Sequence, residues 1–303
     1  MKPYNIQSIA QLHKLLKLPS PRHPLISIMD FEDITCFDDS ALEAVAYNFY
    51  CVAIKKNFEG KMRYGQRHYD FDRGVMTFFA PKQVVVTEIR DDWQLEGQWL
   101  VFHPDFIQGY SLASEIHQFG FFSYAVNEAL HLSEDEEHII KRLFEDIRRE
   151  YSAVVDRFSQ DVIIKQLELL LSYCNRFYHR QFLTRKQGND SLLIDFENLL
   201  DSYFENEDAE LHGLPGVSYF ADRLNISRNY LSDMLRVITG QSAQQHIQQK
   251  VIEKAKELLS LSELSVAEIA YQLGFEYPQS LHKLFKKKTD LSPLEFREQV
   301  RSK

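Results

Sequence analysis

Cysteine and long apolar runs are the features that this 303-residue sequence has least of. Its three cysteines, Cys36, Cys51 and Cys174, are odd in number, far apart and not in a C-x-x-C arrangement. This pattern argues against a disulfide framework or a cysteine zinc site, so we expect free thiols in a reducing compartment. No apolar run approaches the roughly 20 residues of a membrane helix, and the first residues lack the apolar core of a secretory signal. We therefore predict a cytoplasmic location and no membrane association.

Positive charge is in deficit over the whole chain, whose formal net charge is −9. The deficit is uneven, because residues 217–303 carry 13 Lys and Arg against 10 Asp and Glu, whereas residues 1–216 carry 22 against 34. The distribution matters more than the sum, and a mildly basic tail gives weak support for contact with nucleic acid. With 44% hydrophobic and 26% charged residues, the chain has an ordinary globular composition and is long enough for two domains.

The last ninety or so residues contain an internal repeat. Residues 217–226 align with residues 266–275 at an offset of 49, and the offset becomes 50 further on because the second copy has one extra residue near Tyr277. The aligned pairs are Val217 with Val266, Ala221 with Ala270, Leu224 with Leu273, Leu231 with Leu281, Leu235 with Phe285, Thr239 with Thr289, and Ser242 with Ser292. Such matched spacing predicts two copies of one structural unit.

Each copy is predicted to form two short helices joined by a tight turn. In the first copy, Ser227 is a good N-cap for the second helix and Gly240 is a good residue to end it. In the second copy, Ser265 and Glu268 form a capping box before the first helix. Two such pairs are helix-turn-helix units by geometry. The alternative is a plain α-helical domain, and the matched caps favour the repeat.

Between the two units, residues 242–259 contain no Gly or Pro and predict one continuous helix. At about 1.5 Å per residue, this strut spans roughly 27 Å. Successive major-groove segments on one face of a duplex are about 34 Å apart. The spacing is compatible with two units in neighbouring grooves once the width of the helices is added.

At this point the sequence resembles the AraC family of transcription regulators, over residues 216–297. The most specific stretch is residues 268–275, Glu-Ile-Ala-Tyr-Gln-Leu-Gly-Phe, followed by Ser280, Phe285-Lys286-Lys287, Ser292-Pro293 and Phe296-Arg297. Three positions depart from the family pattern. Val251 replaces an Arg that would contact phosphate, Leu281 replaces an aromatic residue, and Asp290 replaces a Gly. Leu can still fill a core, and Asp is among the few residues that adopt a left-handed cap.

The resemblance implies that the outward face of each second helix reads base edges. By position, these readers are Asn229, Ser232 and Asp233 in the first unit, and Gln279, Ser280, His282 and Lys283 in the second. Arg228, Arg236, Lys286 and Lys287 are the expected phosphate contacts. Asn and Gln can pair with adenine, Lys with guanine, and Asp only with the cytosine amino group. The alternative for any one of them is an ordinary solvated helix face.

Residues from about 25 to 130 contain short apolar runs separated by Gly, Pro and charged breaks, as an antiparallel sandwich or barrel requires. These runs are residues 25–28, 49–54, 75–79, 84–87 and 99–102. The family resemblance implies a cupin-like β-barrel here that senses a small molecule. Aromatic residues suited to a ligand cavity, or equally to a packed core, are Phe78, Phe79, Trp99, Phe102, Phe121 and Phe122.

A metal enzyme is the competing interpretation of this barrel. The nearest candidate ligands are His68 and Asp70, with Asp72 and His103 elsewhere. They fall short of the His-x-His pair, Glu and later His of cupin enzymes. We therefore predict no catalytic residue, no metal site, no cofactor and no enzyme activity.

From Ser133 the pattern turns helical, beginning with a capping box formed with Glu136. Apolar residues follow on one face from Ile139 to Ile147, and a second amphipathic helix covers residues 160–182. Paired helices of this kind form a dimer interface or cover the barrel. Residues 184–192 are the best linker candidate, and the acidic residues 205–210 are predicted to be a solvated connection.

These inferences predict an α+β chain with three parts: a cupin-like sensor in residues 1–132, a helical linker or dimerisation segment in 133–190, and two helix-turn-helix units in 191–303. The predicted function is sequence-specific regulation of transcription. The expected partners are double-stranded promoter DNA, RNA polymerase, a small-molecule effector and a second copy of the chain. The alternatives are a regulator whose barrel only dimerises and a cupin-type enzyme with a DNA-binding tail.

Overall fold

The computed structural model describes residues 3–34, 44–56, 74–86, 96–125, 128–184, 186–206 and 208–301. The chain divides into two compact units, residues 1–181 and residues 182–303. The three-part division expected from the sequence, with boundaries after residues 132 and 190, stays a prediction.

The strands of the first unit lie in its first 131 residues. In the described part of the chain they are β1 (Tyr4–Ile6), β2 (Ile26–Asp30), β3 (Ala44–Tyr47), β4 (Tyr50–Lys56), β5 (Val75–Phe79), β6 (Val84–Val86), β7 (Glu96–Phe102) and β8 (Leu130–His131). All five apolar runs named above overlap strands in their described residues, which end at Val86 in the fourth run, so those predictions are confirmed. The sequence did not predict β1, β3 and β8, which have only two to four residues each and show no clear alternation.

The strands form two sheets, with strand orders β1-β3-β6 and β2-β7-β4-β5-β8. Strand β4 lies at the centre of the larger sheet and pairs antiparallel with both β5 and β7. Strands β2 and β8 lie at opposite edges of that sheet and do not pair with each other. The described strands are therefore not closed into a barrel, and the cupin-like barrel expected from the sequence is not confirmed.

The core of the first unit includes a cluster between the sheets and the first helix, α1 (Ile9–Leu15). Phe31 stacks on Trp99 there, with ring centroids 5.7 Å apart. Cys51 belongs to this cluster, and both it and Cys174 are buried free cysteines. Burial raises the pKa of both thiols, so they are protonated and unreactive at neutral pH. Free thiols are confirmed at these two positions, and Cys36 lies outside the described residues.

Short helices and two long ones complete the first part of the fold. They are α2 (Pro104–Ile107), α3 (Ser111–Glu115), α4 (Glu134–Ser152) and α5 (Ser159–Thr184). The predicted capping box before α4 is confirmed, since the Glu136 N–H donates to Ser133 Oγ at 3.3 Å and the Ser133 N–H donates to the Glu136 carboxylate at 2.9 Å. Ile140, Phe144 and Ile147 on the predicted face of α4 are buried.

The second unit is helical throughout its regular structure. Its helices are α6 (Lys186–Glu205), α7 (Asp208–His212), α8 (Val217–Leu224), α9 (Arg228–Thr239), α10 (Ala243–Leu261), α11 (Val266–Gln272), α12 (Pro278–Thr289) and α13 (Pro293–Arg301). Within the described ranges, no helix has both the length and the apolar character needed to cross a bilayer.

Two connections expected from the sequence are helical instead. Residues 186–192 of the proposed linker are the start of α6, and residues 208–210 of the proposed acidic connection are the start of α7. The helical structure of these two segments was not predicted from the sequence, and the linker role of residues 184–192 stays a prediction. The polar start of α6 continues into a helix whose Phe196 and Tyr203 are buried at 0% and 2% exposure, and this tertiary packing outweighs the weak local preference of the polar residues.

Hydrogen bonds at the turns repeat at the predicted offset of 49. The Ile226 N–H donates to the Ala221 carbonyl at 3.0 Å, and the Phe275 N–H donates to the Ala270 carbonyl at 2.9 Å. Both alanines are fully buried, as expected if a small residue lets the second helix cross closely. The chain between α11 and α12 is longer than that between α8 and α9, which confirms the extra residue in the second turn.

The ends of α9 and α12 repeat at the predicted offset of 50. The hydroxyls of Thr239 and Thr289 each donate to the carbonyl four residues earlier, both at 2.8 Å. Gly240 and Asp290 then end the helices in the left-handed conformation, with φ of 78° and 62°. The departure from Gly at position 290 is therefore accommodated, since Asp tolerates this region better than most residues.

We expect the repeat-related substitutions Leu231→Ala and Leu281→Ala to destabilise the chain similarly, each by about 2–5 kcal/mol. Both leucines are fully buried on the inner faces of α9 and α12. Urea unfolding followed by circular dichroism measures the loss, with Arg228→Ala and His282→Ala as exposed controls. A wild-type unfolding midpoint for either leucine variant would contradict the repeat-based fold.

Candidate nucleic-acid interface

The first helix-turn-helix unit consists of α8 and α9. Asn225 adopts the left-handed conformation after α8, with φ of 54°, and Ser227 caps α9 by accepting the Tyr230 N–H at 3.2 Å. Asn is one of the few residues that adopt this conformation readily. The turn therefore stays short and fixes the direction of α9.

The second unit consists of α11 and α12. Its turn uses Gly274 in the left-handed conformation, with φ of 85°, at the position equivalent to Asn225. The predicted capping box before α11 is confirmed, since the Ser265 N–H donates to the Glu268 carboxylate at 2.7 Å. Pro278 occupies the first turn of α12, where its missing N–H costs nothing.

The outer face of α9 carries the five residues predicted there. Arg228, Asn229 and Arg236 are exposed, while Ser232 and Asp233 are half-buried. The inner face is apolar and buried and consists of Tyr230, Leu231, Met234 and Leu235. The two faces are thus separated as the sequence pattern requires, and the polar one faces away from the core.

The outer face of α12 is more exposed and more basic. All six residues predicted there are exposed: Gln279, Ser280, His282, Lys283, Lys286 and Lys287. Leu281 and Phe285 are buried on the opposite face, so the Leu that departs from the family pattern fills the core as expected. Lysines in the last turn also interact favourably with the negative end of the helix dipole.

Asp233 and Arg236 form an ion pair along α9, with Arg236 Nη1 2.8 Å from Asp233 Oδ1. The side chains are 58% exposed for Arg236 and 28% for Asp233, so the pair is worth only a few tenths of a kcal/mol (about 0.3–0.5). It nevertheless offsets the carboxylate charge that would repel phosphate. The two residues therefore act together and not as independent contacts.

A second carboxylate lies near the basic face of α12. The Ser292 N–H donates to the Glu295 carboxylate at 2.7 Å and lowers its pKa, and the charges of Lys286 and His282 act in the same direction.

His246, equivalent in the repeat to Phe296, has its pKa lowered by burial and lies 2.8 Å from the Thr239 hydroxyl. It is a packing residue of the strut, with Phe196 against its ring.

The strut between the units is α10, whose 19 residues span about 28 Å. Val251 is 1% exposed and packs in the core of the second unit. It therefore makes no phosphate contact of the kind that an Arg there would make. The C-terminal end of the strut is held by Arg297, whose guanidinium donates to the carbonyls of Leu264 at 2.6 Å and Leu259 at 3.3 Å.

Two exposed residues near the candidate interface were not singled out from the sequence. Lys288 is exposed in the same last turn as Lys286 and Lys287, and the run of three lysines was the available signal. Tyr277 is 61% exposed immediately before α12. Its hydroxyl can donate to a phosphate oxygen, and no sequence pattern distinguished it from a core aromatic residue.

The other sequence-predicted sites lie in the first unit. Phe78, Phe79 and Phe121 line a cavity there, whereas Trp99 belongs to a separate core cluster, and Phe102 and Phe122 pack on Tyr50.

Of the four candidate metal ligands, His68, Asp70 and Asp72 lie outside the described residues. His103 caps α2, where its Nδ1 accepts the Asp105 N–H at 3.2 Å. Among the side chains that the structure describes, no group of His, Cys, Asp or Glu is arranged to hold a metal ion.

Comparison with protein families finds a match within the second unit, residues 182–303. The family model described as "Helix-turn-helix domain" matches residues 220–299. The chain is 34% identical over 86 residues to the Msm operon regulatory protein of Streptococcus mutans, covering 28% of this chain and 31% of that protein. It is 29% identical over 140 residues to the transcriptional activator RhaS of Escherichia coli, covering 46% of each.

Among solved structures, the chain is similar to the C-terminal domain of the response regulator yesN from Fusobacterium nucleatum. The identity is 33%, the match covers 33% of this chain and 96% of that domain, and the TM-score is 0.30. The chain spans less than half the length of the two curated relatives named above.

The second unit therefore contains a helix-turn-helix domain, as its repeated helices and turns had predicted.

Proposed function

We propose that this protein regulates transcription by binding double-stranded promoter DNA sequence-specifically through its two helix-turn-helix units. One observation carries the proposal. The second helix of each helix-turn-helix unit, α9 or α12, has a buried apolar face and an outward polar face. A side chain that reads a base edge has to stand outward on a rigid helix. Both helices meet that requirement.

The length of the strut α10 supports contact with one duplex at two places. Major-groove segments on one face are about 34 Å apart, and the strut alone provides about 28 Å. The remaining distance is within the width of the packed helices. One unit would then occupy one groove segment and the second unit the next.

The eleven outward residues divide into two roles. The readers are Asn229, Ser232, Asp233, Gln279, Ser280, His282 and Lys283, whose amide, hydroxyl, carboxylate, imidazole and ammonium groups pair with base edges. The phosphate contacts are Arg228, Arg236, Lys286 and Lys287, which position the protein without reading sequence. Because the basic residues are concentrated on α12, the second helix-turn-helix unit supplies most of the electrostatic attraction to the DNA phosphates.

The compact unit of residues 1–181 is proposed to respond to a small-molecule effector. Supporting this is the cavity lined by Thr77, Phe78, Phe121, Tyr124 and Tyr178, whose volume is about 10 Å³, roughly enough for one water molecule. Typical ligand pockets have about 300–1,000 Å³, so binding an effector requires the cavity to widen. The Thr77 hydroxyl is buried and has no hydrogen-bond partner among the described residues, which leaves one polar group for a ligand to satisfy.

The chain is further proposed to form a homodimer along α5. Val162 and Leu169 of α5 are 39% and 47% exposed and lie on one side of the helix, because residues seven apart share a face. Phe158, in the turn just before α5, is 53% exposed. A stripe of large apolar side chains in water is unfavourable and is typical of an interface. On promoter DNA, a dimer of this kind would present two copies of the reader to RNA polymerase.

Lys283→Ala and Lys287→Ala separate the two proposed roles. The duplex is first selected from random DNA with the full-length chain, and binding is then measured against single-base variants and salt. We expect Lys283→Ala to cost about 1–3 kcal/mol at particular base positions and little elsewhere. Lys287→Ala should weaken binding to all sequences alike and reduce the salt slope by about 1.

Lys14→Ala on α1, which changes the charge equally, is the matched control and should leave binding unchanged. Equal losses on selected and random DNA for Lys283→Ala would remove it from the readers. A wild-type chain that prefers no duplex over competitor DNA at moderate salt would contradict the proposed function itself.

Thr77→Val tests the effector site. Because Val has nearly the shape of Thr without the hydroxyl, we expect the variant to be more stable than wild type by about 1–3 kcal/mol in the absence of ligand. A small-molecule library screened by thermal shift should contain compounds that raise the melting temperature of wild type more than that of the variant. A variant less stable than wild type, with no differential compound, would argue against the site.

The double variant Val162→Asp and Leu169→Asp tests the dimer. We expect wild type to sediment as a dimer and the variant as a folded monomer, because two charges on the stripe make its burial unfavourable. Leu261→Asp, which changes an apolar residue that is 81% exposed at the end of α10, is the control and should stay dimeric. A monomeric wild type would contradict the proposed interface.

A further inference from the structure

A short segment before the first helix-turn-helix unit contacts the turn of the second helix-turn-helix unit. We define the brace as residues 203–206 and 208–214, which include the end of α6, helix α7 and the two residues Gly213 and Leu214. The Leu214 N–H donates to the Gly274 carbonyl at 3.0 Å. Gly274 is the left-handed residue in the turn between α11 and α12, so the brace holds the turn that directs the second reading helix.

The contact at Gly274 is close enough to exclude any side chain. A Cβ at this position would lie 2.6 Å from the Ala209 carbonyl oxygen and 2.6 Å from the Gly213 carbonyl carbon, well inside van der Waals contact. Backbone atoms cannot move aside as a flexible side chain can. Gly274 is therefore required here by the brace as well as by its φ of 85°.

The other end of the brace contacts the first helix-turn-helix unit. Tyr203 is 2% exposed, and its hydroxyl donates to the Gly213 carbonyl at 2.7 Å. Its ring lies edge-on to Tyr219 of α8, with centroids 4.7 Å apart. Tyr203 therefore connects the first helix-turn-helix unit to the segment that holds the second helix-turn-helix unit.

Two further contacts tie α6 to both units. Phe196 packs edge-on against Phe220 of α8 at 5.3 Å, while Phe204 packs on the core cluster of the second unit. Asp201 of α6 forms an ion pair with Lys250 at the middle of the strut. Helix α6 and the brace thus make a second connection between the units, alongside the strut itself.

A second connection limits how the two helix-turn-helix units can rotate relative to each other. Units joined by one helix can adjust by bending or twisting at its ends, whereas two connections at different places remove most of that freedom. Adding one base pair between two half-sites moves the second by about 3.4 Å and rotates it by about 35°. A braced pair of units cannot follow that change without losing contacts.

We propose that the brace makes the spacing between the two half-sites a determinant of specificity, with Tyr203 as its main positioning residue. The inference rests on the proposed function, because it presupposes that both units bind one duplex. Tyr203 contacts no DNA in this account. It acts through the position of α12.

The experiment uses the full-length chain and the selected duplex, with one or two base pairs added or removed between the half-sites. Wild type is expected to lose at least about tenfold in affinity for a change of one base pair, the size of a typical mismatch effect. Tyr203→Phe, which removes only the bond to Gly213, should reduce that discrimination several-fold while binding the best spacing almost normally. Replacing residues 208–212 with a Gly-Ser sequence of equal length should reduce it further.

Tyr219→Phe is the matched control, because the Tyr219 hydroxyl makes no hydrogen bond within the described residues, and it should keep the wild-type profile. A loss of affinity that is equal at all spacings would indicate a merely structural role and overturn the inference. So would an unchanged profile in both brace variants with normal unfolding midpoints. A wild type that prefers one sequence but tolerates every spacing refutes the brace alone, whereas one that prefers no sequence refutes the proposed function.

Discussion

One backbone hydrogen bond, made twice, is the constraint on which the second unit depends. In each helix pair the carbonyl of a fully buried alanine, Ala221 or Ala270, accepts the N–H of the residue five positions later. The alanine has to be small because the second helix crosses over it, and the intervening left-handed residue lets the chain turn sharply. Everything proposed for α9 and α12 follows from that turn, because it decides which face of each helix is buried and which faces water.

The two reading helices are alike in backbone and unlike in charge. On α9 the pairing of Asp233 with Arg236 leaves little net positive charge, whereas α12 ends in three exposed lysines. Attraction to phosphates is long-range and sensitive to salt, and base contacts are short-range and specific. Most of the attraction is therefore expected from the second helix-turn-helix unit, in a chain whose net charge is −9.

Periodicity and caps predicted the regular parts of the fold well, and tertiary packing explains where they failed. The helices of the repeat could be placed because their apolar spacing and caps agree, as with Ser265 and Glu268. The polar residues at the start of α6 and the acidic residues at the start of α7 gave no such signal, and packing around Phe196, Tyr203 and Ala209 makes them helical. The brace could not be predicted, since a contact between Leu214 and Gly274 is invisible in local sequence. In the compact unit of residues 1–181, apolar runs predicted where strands lie but did not predict whether the strands close into a barrel.

Hydroxyl-radical footprinting of the full-length chain on its selected duplex tests the central claim most directly, because it maps contacts on both strands at single-nucleotide resolution. The account predicts two protected patches on one face of the duplex, centred about one helical turn or 34 Å apart, with the patch of the second unit fading first as salt increases. A single patch, two patches on opposite faces, or uniform protection would contradict the claim that α9 and α12 enter neighbouring grooves of one duplex.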